Sequence, residues 1–357
     1  MKDITLLMTG VGGPGARGYL YSLQQNAERK IRIVGTDLSD KIDPETRECL
    51  DAFYMIPRAC TPNYLPSLLK LCREERIDVV LPLNTAELNL LSEHRGDFEA
   101  LGTQLCVLEA QTLDIVNNKG KLLCLLRDSG LEVPAFSVVH SVSEFRDALS
   151  ALGYPEKPLV IKRPDGNGSR GLRFLDASVS MAQIFLNQKP RSLYISLPEL
   201  LSMLPEVFAQ TPLLVMELLP GQEYSVDTLA EQGTVIRSVC RRVDVSEDSN
   251  DVDATIEQTP DVLLYCEQIC RLLKLDGLIG FGIMRNGAGE PRLLEINPRL
   301  QSTTILSVMG GVNYPYAVVK KALGEAVLLP EPVPGIRTVQ RKQKLFYGPD
   351  GQLLLKL

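Results

Sequence analysis

The sequence predicts an α/β parallel-sheet domain at the front of the chain and an α+β region behind it. Three observations carry this. Short apolar runs alternate with amphipathic stretches up to about residue 110, a helix closed by Gly130 and followed by Pro134 breaks that rhythm, and the later apolar runs are strands joined by polar, glycine-dense turns. With 357 residues, 45% of them hydrophobic, the chain can bury the cores of two or three domains.

The front half reads ITLLMTG, the helical ARGYLYSLQQNAE, IRIVGTD, the helical YLPSLLKLCREER and DVVLPL. This β-α-β-α-β order implies parallel strands with crossover helices. TLDIVNNKGKLLCLLRDSG reads as one helix and sets a boundary near residue 112, giving domains at 1–112 and 113–330. Within the second, a smaller lobe spans about 125–210 and a larger one about 211–330. The strand PLVIKRP leads into the loop DGNGSRG, of a kind that can fold over a ligand, and the strand PLLVMELL leads into PGQEYSVDTL. The helix VLLYCEQICRLL, the strand LIGFGIMRN, a turn at NGAGEP, the strand RLLEINP and a helix ending in YAVVKKALG follow. The tail 331–357 ends in a hairpin with its turn at Pro349, Asp350 and Gly351.

Composition excludes several function classes. The formal net charge is -6 and no basic block is present, so the phosphate attraction of a nucleic-acid binder has no source. The start lacks a signal-like apolar region and no run is long enough to span a bilayer, so a cytoplasmic protein with no membrane partner is expected. None of the eight cysteines forms C-x-x-C, and Cys266 and Cys270 share a helix face, so reduced, core-filling thiols are expected. His94 and His140 are the only histidines and lie far apart, so any metal should have oxygen ligands.

Gly10, Gly12 and Gly15 form G-x-G-x-x-G behind the first strand, and Asp37 closes the second strand where an acidic residue would hold a ribose. An NAD(P)-dependent oxidoreductase is therefore one reading. A strand-to-helix turn needs such glycines with or without a dinucleotide, however. The rest of the chain offers a second constellation. Lys162 follows the run LVI, and its ammonium could face the same phosphates as the backbone N–H groups of DGNGSRG; a lysine at a strand end is the plain alternative. Glu295 and Asn297 stand two apart on an extended segment, pointing two oxygen-bearing side chains to one face, as a Mg²⁺ site needs. Arg299, two further on, could hold a carboxylate or phosphoryl group, or make a simple salt bridge. Of Arg241 and Arg242, candidates for grasping a substrate carboxylate, strand alternation lets only one face inward.

The order of NNK, VIKRPDGNGSRG, VMELLPGQEYSVD and RLLEINPR resembles the ATP-grasp superfamily, in its carbamoyl-phosphate-synthetase-like branch, over nearly the whole chain to about residue 325. The resemblance implies an ATP-grasp fold behind a Rossmann-like front domain whose glycine loop borders the cleft without binding a dinucleotide. It implies ATP, with Mg²⁺ or Mn²⁺, and an ATP-dependent ligase forming C–N bonds from a small-molecule carboxylate and an amine, in a class where homodimers occur. It also implies roles: Lys119 and Lys162 at the phosphates, with the loop from Asp165 to Gly171, including Gly168, Ser169 and Arg170, closing over them. Glu217 with the backbone of Leu218 and Leu219 would meet the adenine, and Glu223 the ribose. Glu295 and Asn297 would ligate the metal, and Arg299 and Lys162 would serve the chemistry. Where relatives carry a further metal ligand this chain has Gly282, which leaves that position to water or to Asp227 and keeps a non-catalytic ATP-binding protein open as a third reading.

Overall fold

Leu6, Leu7 and Met8 have no exposed surface, so the first strand is covered on both faces, as an inner strand of a parallel sheet must be. The chain is described by a computed structural model over residues 1–166, 168–188, 192–247, 250–341, 344–349 and 352–356. Strands β1 (Ile4–Thr9), β2 (Ile31–Asp37), β3 (Ala52–Met55), β4 (Val79–Pro82) and β5 (Gln104–Leu105) form one sheet in the order β3-β2-β1-β4-β5, and every pairing is parallel. The order reverses at β1, so the glycine turn after it stands at the switch point of the sheet. Strands β3 and β5 escaped the sequence pattern, because both are short edge strands, β3 of four residues with none buried and β5 of two. The crossover helix Ala16–Gln24 buries Ala16, Tyr19, Leu20 and Leu23 at helical spacing.

The single helix expected after residue 112 is two, Ala110–Val116 and Lys119–Asp128. Asn118 adopts an extended backbone and its side chain accepts the Lys121 N–H. An asparagine competes with the helix for backbone bonds and favours this capping position, so the break falls there. Lys119 thereby becomes the first residue of a helix rather than one on a continuous face.

Behind it, β6 (Phe136–Val139), β7 (Leu159–Lys162), β8 (Arg173–Leu175) and β9 (Leu213–Glu217) make an antiparallel sheet in the order β6-β9-β7-β8. Strand β9 thus completes the sheet of the smaller lobe. The lobe's apolar side chains, among them Val139, Phe145, Leu159, Leu200 and Leu213, form a core of their own.

Six strands build the larger lobe: β10 (Glu223–Glu231), β11 (Thr234–Glu247), β12 (Asn250–Ile256), β13 (Gly277–Arg285), β14 (Pro291–Asn297) and β15 (Arg337–Val339). Their order is β14-β13-β10-β11-β12-β15, all antiparallel. β15 draws part of the expected tail into this sheet. Helix Pro260–Leu273 covers it with Val262, Tyr265, Cys266, Ile269 and Cys270, a continuous helical stripe. These residues share one core with Leu7 and Val34 of the front domain, so the front domain and the larger lobe are packed together.

Strands β16 (Leu345–Tyr347) and β17 (Leu353–Lys356) form the expected hairpin, closed by the Gly348 N–H on the Gln352 carbonyl at 2.8 Å. Pro349 lies in its turn, whereas Asp350 and Gly351 fall outside the described residues. All eight cysteines are free, but only Cys72, Cys240, Cys266 and Cys270 are buried and Cys60 is exposed, so core filling accounts for half of them. Among the described residues no helix is long and apolar enough to cross a membrane.

Candidate functional site

The first three residues of β7 are buried and the fourth, Lys162, emerges from its end towards β14, with Nζ 3.4 Å from the Leu294 carbonyl. Burial pushes its pKa down to about 8, with Lys119 adding to the depression and Glu295 opposing it. Lys119 is 12% exposed; its Nζ donates to the Gly166 carbonyl at 2.5 Å and lies 3.2 Å from Glu295 Oε2. Burial works against the charge on Glu295. The pull of Lys119 and Lys162, with hydrogen bonds from Asn297 and Lys119, overcomes it and holds the carboxyl below its usual range.

Asn297 donates from Nδ2 to Glu295 Oε1 at 3.1 Å, which leaves its amide oxygen on the same face as the carboxylate. Two such oxygens suit a hard divalent cation. The strand partner of Glu295 is Gly282, where a Cβ would come no nearer to its neighbours than ordinary contact, with Glu295 Cγ at 3.4 Å, Leu294 Cβ at 3.8 Å and Glu295 N at 3.9 Å. Gly282 itself thus supplies no third ligand. No three His, Cys, Asp or Glu side chains converge among the described residues, so the donors fit an ion whose other positions are taken by phosphate and water oxygens.

These groups line one end of a cleft of about 500 Å³ between the smaller lobe and the large sheet. Gly168, Ser169 and Arg170 line it from the loop, and Glu217, Leu218, Leu219 and Glu223 from the connection between the lobes. Gly168, Ser169 and Gly171 have positive φ of 58°, 57° and 76°; for Ser169 this is an uncommon backbone held by its surroundings. Asn167 of the same loop lies outside the described residues. Phe174, Met216, Met284 and Leu294 supply an apolar shelf that the sequence reading missed. The sequence reading also missed Gln301, which lines the cleft although β14 ends at Asn297 and strand alternation does not extend to it.

Of the expected residues, Asp165, Gly171, Asp227 and Arg299 do not line the cleft. Arg299 turns to the front domain, donating from Nε to Thr85 Oγ1 at 2.9 Å and from Nη1 to the Leu300 carbonyl at 2.8 Å. At the hinge the Glu217 carboxylate accepts the Ala135 N–H at 2.8 Å and the Leu218 N–H goes to the Pro158 carbonyl at 3.3 Å. The Leu219 N–H has no partner among the described residues, which makes it the donor open to a base. Alternation does separate the arginine pair: Arg241 is fully buried and Arg242 faces outward to Asp244 and Glu257. Yet Arg241 is committed to Asp227, itself 1% exposed and also bound by Ser307 at 2.9 Å and Gln301 Nε2 at 3.0 Å. Asp227 therefore cannot replace the ligand absent at Gly282 without breaking a buried ion pair.

The opening glycine turn is engaged by the protein itself. The Gly12 N–H donates to Asp37 Oδ2 at 2.8 Å, so the carboxylate that would take a ribose sits where a pyrophosphate would need a bare donor. A Cβ on Gly15 would stand 2.8 Å from Ser302 Cα, and Tyr19 on the next helical turn donates to the Gln301 carbonyl. The glycines let the segment after β14 approach the first crossover helix. A dinucleotide finds no open cradle here. A hollow of about 290 Å³ lies nearby, lined by Thr85, Asn89, Asn117, Lys119, Asp165 and Asn297, and it shares Lys119 and Asn297 with the cleft.

Comparison with known proteins agrees with this architecture. Residues 209–344 match the family described as ATP-grasp in the biosynthetic pathway with Ter operon, and residues 6–106 match the PylC-like N-terminal domain. Over 141 residues the chain is 33% identical to the carbamoyl phosphate synthase large chain of Pseudomonas putida; the match takes in 38% of this chain and spans 12% of the length of that relative. The biotin carboxylase domain of Hydrogenobacter thermophilus 2-oxoglutarate carboxylase, solved with MgADP and bicarbonate, superposes with a TM-score of 0.70 at 15% identity, covering 94% of this chain and 73% of that one. An L-amino acid ligase from Bacillus licheniformis gives a TM-score of 0.63 at 16% identity, with 90% and 74% covered.

Proposed function

We propose that this chain, an ATP-grasp protein with a PylC-like front domain, is an ATP-dependent carboxylate–amine ligase acting on a small carboxylic or amino acid. The observation that carries the reading is the meeting of Lys119, Lys162, Glu295 and Asn297 at one end of a nucleotide-sized cleft. Solved proteins of the same fold are a biotin carboxylase domain and an amino acid ligase, which supports the reaction class.

A carboxylate resists attack by an amine because its charge repels the nucleophile and it lacks a leaving group. In the proposed reaction a carboxylate oxygen attacks the γ-phosphorus of ATP, the bond to the bridging oxygen breaks and ADP leaves. The amine then attacks the acyl carbon of the acyl phosphate, gives up a proton, and phosphate departs with the pair of the broken C–O bond. Lys119 and Lys162 hold the crowded phosphate oxygens by fixed positive charge. Glu295 and Asn297 would hold magnesium, which would supply positive charge to offset that of the phosphates. The loop from Asp165 to Gly171 keeps water from the acyl phosphate.

The test is a hydroxylamine-trapping screen of carboxylic and amino acids with Mg-ATP, scoring hydroxamate and ADP together. A matched rise in both for one acid class is the expected result. Nucleotide binding without ADP release for any acid would leave the non-catalytic reading, which the bare position at Gly282 favours.

A further inference from the structure

We propose that Thr85 of the front domain is a positioning residue for Arg299, fixing its guanidinium at the border of the front domain. This rests on the ligase reading above together with the role that the sequence resemblance implies for Arg299, to serve the chemistry. Helix Thr85–Glu93 starts with Asn84 as its cap, and Glu87 closes the reciprocal bond to the Asn84 N–H at 3.1 Å. Glu87 is itself buried and bound by the hydroxyls of Thr9 and Tyr64. The backbone of Thr85 is thus held on both sides, while its hydroxyl is not needed as the cap.

That hydroxyl makes one side-chain hydrogen bond among the described residues, to Arg299 Nε, 214 positions away in sequence. With Nη1 on the Leu300 carbonyl, two of the three guanidinium nitrogens are fixed and Nη2 has no partner among the described residues. An arginine fixed in this way offers one nitrogen in a set direction and avoids losing rotamer freedom when an anion arrives. Thr85 also lines the hollow that shares Lys119 and Asn297 with the cleft, whereas Arg299 itself lines a second hollow with Leu81, Pro82 and Arg95. The front domain thereby supplies orientation to a reaction whose charges come from the other two lobes.

The experiment compares Thr85→Val, which keeps shape and removes the hydroxyl, with Thr85→Ser, which keeps the hydroxyl. With the acid giving most hydroxamate in the screen, Thr85→Val is expected to lower kcat about 10- to 100-fold while the Kd of an ATP analogue stays within about twofold. Thr85→Ser should recover most of the loss. An unchanged kcat in Thr85→Val, or a Thr85→Ser variant as impaired as Thr85→Val, overturns the proposal. Arg299→Ala with wild-type turnover would instead overturn the reading of Arg299 itself. A measurement without substrate completes the test: solvent exchange of the Arg299 Nε–H resonance, identified by its loss in Arg299→Lys, should be at least about tenfold faster in Thr85→Val. Equal exchange rates in the two proteins overturn the proposal.

Discussion

The glycine turn after β1 and the cleft behind β7 stand in opposite relations to sequence pattern. The turn is the most conspicuous motif in the chain, yet its Gly12 N–H is taken by Asp37 and Gly15 is pressed against Ser302. The cleft is drawn from residues 119 to 301, no one of which is distinctive alone, yet its cations and its oxygen donors face a common space. A motif of backbone shape is satisfied by whatever approaches the backbone, protein included. Charged side chains brought together against their own desolvation need a ligand or a partner to account for them.

Substitutions can break that contrast. The largest effect is expected beneath both regions, where Arg241 and Asp227 are buried and Gln301 ties them to the segment that Tyr19 holds. Arg241→Met leaves a buried carboxylate without its counter-charge and should cost about 3–5 kcal/mol in urea denaturation; a loss under about 1 kcal/mol would show the pair to be dispensable. In the cleft, Glu295→Gln should remove the Mg²⁺-dependent part of ATP-analogue affinity, about 100-fold by calorimetry with and without Mg²⁺. An unchanged magnesium dependence would move the metal elsewhere.

Lys162 gives a smaller, pH-resolved effect. Its ammonium loses its proton as pH rises through about 8, well below the ordinary lysine value, so phosphate binding should be full below that pH and fall above it. Analogue affinity at pH 9 should be about tenfold weaker than at pH 7, and Lys162→Met should flatten the profile. Folding stability should shift the other way: the unfolded chain binds the proton more tightly, so this residue's contribution rises between about pH 8 and its ordinary pKa. The smallest effect belongs to the glycine turn. Asp37→Asn should change ATP-analogue affinity less than about twofold and confer no NADH binding by fluorescence titration. Tight NADH binding in the native protein would invert the comparison.

Much of this was legible in advance where the signal is local. Apolar runs gave β1, β2, β4, β7 and β9, and i, i+2 spacing set Glu295 and Asn297 on one face. The break at Asn118 was hidden because Leu113, Val116, Leu122 and Leu126 keep a helical stripe on either side of it. The commitment of Asp227 to Arg241 was hidden for another reason. It joins β10 to β11 across a hydrogen-bonded register, and only pairing of the two strands brings residues 14 apart into contact. Thr85 and Arg299 are more remote still, and no pattern within either segment announces the bond between them.

The separate core of the smaller lobe has a thermodynamic consequence. Leu159, Leu200 and Leu213 lean on one another and not on the interior that unites Leu7 with Phe281. Amide exchange should accordingly resolve two cooperative blocks, the four-stranded sheet opening at a lower free energy than the remainder. A nucleotide bridging both blocks would bring their opening energies closer, so that the ligand acts as the missing fragment of a common interior.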